Sequence, residues 1–262
     1  MSPFYFFLDH PDNSLNSSVD LFSFPSTNLL TKHKSKNLYI HAFYSDGKKW
    51  IIKNIGTIKR DSQTTLRKEE LDSDFKDKSV FICLSEKEKI SLCTSESEKV
   101  SSFEAYPPWR SNIKIKGEFM STSYQGEIPN SFLDLKPSLV SCSPMFQMKE
   151  DVENFFYLVN IQRNPEKNKF KVKIFDLEEK KIGELDCLTN CINLFNLNNI
   201  LNKKENMMIF TSEEYGGIPL YFSKDKKSEF LSLEHTHPPI EHIYMGNRFY
   251  FQKKKKTHWF KT

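Results

Sequence analysis

Short apolar segments that alternate with charged residues recur along this chain, and a period of two leaves few folds open. In "FKVKIF" (170–175), Phe170, Val172 and Ile174 fall on one side and Lys171 and Lys173 on the other. Successive side chains of a β-strand point to opposite faces, so this is the pattern of a half-buried strand. "SNIKIKGEF" (111–119) repeats it with Ile113 and Ile115. "NLYIHAFY" and "KWIIKNIGTIK" flank Asp46-Gly47, a dipeptide suited to a tight hairpin turn. "SVFICL" (79–84), "EKISLC" (88–93), "NFFYLVNIQ" (154–162), "MMIFT" (207–211) and "GIPLYF" (217–222) are further strand candidates.

Helix signals are few. "TTLRKEELDSDF" (64–75) could supply a turn or two. "NCINLFNLNNIL" (190–201) settles on no period, and its asparagines disfavour a helix. The expected fold class is therefore all-β with little helix, arranged as two packed β-sandwich-like domains with an internal duplication. The repeat is read from strand order in 37–97 and 154–225. It is also read from the pairs "YPPWRSNIKIKG" with "HPPIEHIYMG" and "SYQGEIP" with "EYGGIP". The expected boundaries are an N-terminal domain over 1–103, a connecting segment with a strand over 104–139, and a C-terminal domain over 140–262. The connector is not Gly/Ser-rich, which favours packed domains over tethered ones.

Composition excludes some classes. Among 262 residues, 23 Phe supply more apolar surface than a disordered chain carries. The net charge of +4 is too mild to imply a nucleic-acid partner. Five cysteines at irregular spacing complete no zinc pattern and suit reduced thiols in a cytoplasmic protein. The opening "MSPFYFFLDHPD" lacks the basic start of a signal peptide, and no apolar run is long enough for a membrane span.

Three places could carry function. His235, His237, Glu241 and His242 crowd "EHTHPPIEH". On an extended strand His235 and His237 share a face and could hold zinc or another divalent transition metal, with a carboxylate from Glu241. The spacing in "HTHPPIEHIYMG" resembles the first metal motif of the cupin family, although that motif's flanking glycines are replaced by Glu229 and Arg248. The resemblance implies a metal site, and a metal-bound water would then make the chain a metal-dependent enzyme.

Trp109 beside Arg110, with Tyr124, Gln125 and Glu127 around a turn, offers instead an aromatic platform and polar groups for a glycan. On that reading the chain is a non-catalytic binding or assembly module recognising a carbohydrate or glycan precursor near the domain junction. "FQKKKKTHWF" (251–260) could contact phosphates, a third reading in which nucleic acid is the partner.

Overall fold

The protein is described from a computed structural model. The structure describes residues 2, 4–23, 37–59, 62–92, 109–126, 128, 133, 138–146, 149–200, 207–228, 230–235 and 256–261, without the side chains of Trp109 and Arg110. The chain divides into two compact units, Met1–Asp134 with Arg163–Glu166, and Leu135–Gln162 with Lys167–Thr262.

The first unit holds β1 (Tyr5–Phe6), β2 (Asn16–Ser23), β3 (Asn37–Ser45), β4 (Trp50–Lys59), β5 (Ser62–Arg67), β6 (Phe81–Ser85), β7 (Trp109–Lys116) and β8 (Ser121–Gln125). They form two antiparallel sheets, in the orders β1-β6-β3-β4 and β5-β2-β7-β8. The β3–β4 hairpin turns at Asp46-Gly47 as the dipeptide predicts. Gly47 has φ 93°, and Asp46 Oδ1 accepts the Lys48 and Lys49 amides at 2.8 Å each. "TTLR" is the end of strand β5, and the helical turns begin only after it. Thr64 and Thr65 pair with Leu21 and Asp20 of β2, and two 3₁₀ turns, Lys68–Glu70 and Ser73–Phe75, follow. Pairing with β2 and the β-branched threonines outweigh the weak helical pattern.

The second unit holds β9 (Leu139–Cys142), β10 (Val152–Val159), β11 (Lys169–Phe175), β12 (Lys181–Leu188), β13 (Ile192–Asn196), β14 (Ile209–Ser212), β15 (Ile218–Asp225) and β16 (Leu231–His235). Its sheets run β12-β11-β14-β9 and β13-β10-β15-β16. Adding eight to each strand number of the first unit reproduces both orders. The two units therefore share one topology, strand for strand.

The repeat read from the sequence has a different alignment. β7 and β8, placed by the sequence reading in a connector, belong to a sheet of the first unit, with β7 between β2 and β8. "SYQ" ends β8, whereas "EYGG" precedes β15, so those similar strings occupy unlike places. Partner "HPPIEHIYMG" lies outside the described residues.

Alternation dictates the packing. In the second unit Phe170, Val172 and Ile174 of β11 and Phe210 of β14 share a core with Phe156 and Leu158 of β10 and Tyr221 of β15. Phe156 and Phe210 stack with ring centroids 4.3 Å apart, joining the two sheets. The first unit has the same join. The row Phe6, Phe81, Phe43 crosses β1, β6 and β3, and Phe6 meets Tyr124 of β8 at 6.5 Å. The corresponding row of the second unit is Ser141, Phe210, Ile174. There Tyr221 makes up for the small Ser141, hydrogen-bonding its hydroxyl at 2.7 Å in the buried core.

Where β15 begins, a Cβ on Gly217 would lie 2.2 Å from the Val159 carbonyl oxygen. Backbone cannot yield as a flexible side chain can. Gly217→Ala is expected to cost roughly 1–3 kcal/mol, read as a lower urea midpoint at unchanged slope. Gly47→Ala pays only for its positive φ, because open space surrounds it.

Candidate functional site

The outer face of sheet β12-β11-β14-β9 carries the side chains that alternate away from the core. Lys171 and Lys173 of β11 stand opposite Asp186 and Glu184 of β12. Lys171 pairs with Glu184, and Lys181 reaches the same carboxylate at 2.6 Å. These two lysines hold the Glu184 carboxyl down at about pKa 2.

A short helix at residues 256–261 borders this face. Trp259 packs on Phe175, ring centroids 5.7 Å apart. His258 Nε2 lies 3.0 Å from Glu179 Oε1, and Lys256, 7% exposed, donates to Ser138 Oγ at 3.1 Å. The last lysine of the basic run is thus a docking group. Lys253, Lys254 and Lys255 lie outside the described residues.

Between this helix and the sheet opens a cleft of about 480 Å³. Lys169, Lys171 and Lys173 line it on β11, Glu184 and Asp186 on β12, and Thr211, Ser212, Glu213 and Glu214 at the end of β14. Trp259 and Phe260, both half-buried, form its aromatic edge. Phe170 reaches it from the core face. Ser212 is 5% exposed, and among the described residues its Oγ has no hydrogen-bond partner. A second opening in this unit, about 290 Å³, is lined by Tyr221, Ser223, Asp225, Ser232 and Glu234 beside the exposed Met145 and Phe230. In the first unit a cleft of about 500 Å³ surrounds the Asp9–Lys68 ion pair, with His10, Glu69 and Lys76.

Of the residues expected from the sequence, Tyr124, Gln125 and His235 have described side chains, and none of these three lines the cleft beside β11. Tyr124 is 6% exposed; its ring lies against Phe6 and so close to Gly126 that a Cβ there would fall 2.2 Å from it. It offers little surface to a glycan. Gln125 is exposed at the end of β8, opposite Asn112. Trp109 and Arg110 begin β7, opposite Ser23 and Phe22, while Glu127 lies outside the described residues. His235 is exposed at the end of β16, paired with Leu220; His237, Glu241 and His242 lie outside the described residues. Among the described residues, no three His, Cys, Asp or Glu side chains gather as a metal site requires.

The sequence reading missed the cleft because β14 had no visible end. The signal is "SEEYGG" (212–217), whose Glu213 and Glu214 form the bend at the cleft.

Other displaced protonation equilibria belong to structure. Burial pushes the Cys83 and Cys187 thiols up to about 12 and pushes the Tyr221 phenol up as well. Burial holds the His41 imidazole below its ordinary value, though its contact with the Lys87 carbonyl oxygen partly opposes this. Turn amides hold Asp46 and Asp225 ionised. No helix among the described residues is long and apolar enough to cross a membrane. Compared with protein-family models, curated proteins and solved structures, the chain matches none.

Two outcomes check this geometry. Glu184 is ionised in the fold well below its unfolded pKa, so its contribution to stability is present above pH ~4.5 and is lost as pH falls toward 2. Its carboxyl carbon should titrate near 2 by NMR, and Lys171→Met should raise that midpoint. Ser212→Ala removes a buried hydroxyl that has no partner among the described residues, and should leave stability unchanged or raise it by up to about 1 kcal/mol, measured by thermal unfolding.

Proposed function

We propose that the chain is a non-catalytic binding and assembly module, made of two β-sandwich-like domains that arose by internal duplication. Its site is the cleft between β11, β14 and residues 256–261. The observation that carries this reading is the cleft itself, which is edged by Trp259 and Phe260 and lined by charged side chains that hold one another.

Catalytic acids and bases have pKa values tuned to their working pH. In this cleft the group with a large displacement, Glu184, is pinned in its charged form by two lysines. Enclosed small-molecule pockets are mostly apolar and bury their ligand. A charge-lined cleft with an aromatic edge suits a chain-like ligand instead. The glycan reading shares that logic, and Trp259 could stack a sugar face. Tyr124, one of the residues that reading draws on, is largely buried, and polypeptide is the partner we favour.

The test is to screen the full chain and Trp259→Ala against short random peptides and against a glycan array. Peptides retained by the parent, weakened at least tenfold in Trp259→Ala and unmatched by any glycan, support the reading. Glycans retained through Trp259 would replace it with carbohydrate binding. The metal-dependent alternative requires near-stoichiometric zinc, iron or manganese in protein purified without chelator, lost in His235→Ala.

A further inference from the structure

We propose that an extended peptide segment enters the gap between β11 and β14 and adds a strand to the free edge of β11. The proposal rests on the reading of the chain as a binding module and names its partner.

Strand β11 pairs with β12 from Lys169 to Phe175, but with β14 only at Lys173, Ile174 and Phe175. Among the described residues, Lys169–Val172 have no strand partner on the β14 side. Ser212 still pairs with Leu139 of β9, and the chain then bends away at Glu213 and Glu214. The two strands part there, and their separation forms the floor of the cleft.

The first unit shows what such a place accommodates. When the core rows are matched, the pair Ile174–Phe210 corresponds to Phe43–Phe81. Continuing along β3 and β6, the first unit pairs His41 with Cys83, Ile40 with Leu84 and Tyr39 with Ser85. The equivalent pairings are missing in the second unit. The missing element is a stretch of strand about three residues, or ~10 Å, long.

Ser212 supplies an independent sign. It corresponds to Cys83, yet it is a hydroxyl, buried at the cleft and without a partner among the described residues. An incoming backbone can satisfy it. On one face Phe170 is already covered by Tyr215, ring centroids 5.3 Å apart, so an inserted strand would meet free aromatic surface on the other face only, at Trp259 and Phe260. The peptide should therefore carry apolar residues at every second position. Lys169 and Lys173 oppose Glu213 and Glu214 in charge, so the site selects no net charge. Backbone hydrogen bonds give affinity in this mode, and alternate side chains give specificity. Lysines along an open edge also discourage indiscriminate pairing.

Peptides selected from a short random library on the full chain provide the test. Two versions of one selected peptide are made, each N-methylated on a different alternating set of residues. The set whose amides face β11 should lose about tenfold or more in affinity, and the other set less than about twofold. Ser212→Ala should weaken the unmodified peptide about 3- to 10-fold. Binding that tolerates both N-methylated sets and Ser212→Ala would overturn strand addition while leaving the binding reading in place. If no peptide is retained at all, both fail.

Discussion

The stack of Phe156 on Phe210 holds the second unit together. It joins β10 in one sheet to β14 in the other, and Tyr221 packs against both rings, at 5.4 and 5.5 Å. Aromatic burial of this kind removes large apolar areas from water and adds a geometric preference. Once Phe210 faces the core, parity fixes the rest of the face. Thr211 must point outward, Lys171 and Lys173 of β11 must follow, and their carboxylate partners on β12 must stand opposite. The charged outer face, and the cleft on it, are consequences of where one ring points.

The two units solve the same packing problem with different residues. Phe6 supplies from β1 the aromatic that crosses to the other sheet in the first unit. In the second unit Ser141 takes its place, and Tyr221 crosses in the opposite direction to reach it. Cores tolerate such exchanges when volume and pattern are kept. The pairing of the two units differs at the outer end of β14. There the first unit continues its ladder through Cys83, Leu84 and Ser85, and the second turns away at Glu213.

Much of the fold was legible in the sequence. Period-two alternation located β7 and β11, short apolar runs marked β3, β4, β6, β10, β14 and β15, and Asp46-Gly47 marked the β3–β4 hairpin. A repeat of strand order was legible but not its alignment, because β1 and β2 carry little alternation and β5 was disguised as helix. The candidate site was scarcely legible. Its floor depends on the absence of three pairings between β11 and β14, which are distant in sequence and carry no motif. Residues that looked like sites did so through local chemistry. Tyr124 reads as a platform beside Gln125 and Gly126, yet its ring turns inward against Phe6. Trp259 reads as part of a basic stretch suited to phosphates, yet it packs on Phe175.

One asymmetry between equivalent strands creates the free edge of β11, and amide hydrogen exchange on the free chain measures it directly. Tyr39 and Ile40 lie between β4 and β6, so both amides should exchange slowly. Of Lys171 and Val172, only the amide directed at β12 should be slow, and the other should exchange at least about tenfold faster than either position in the first unit. Equal, strong protection at all four positions would mean that the edge of β11 is already paired, and would contradict the account.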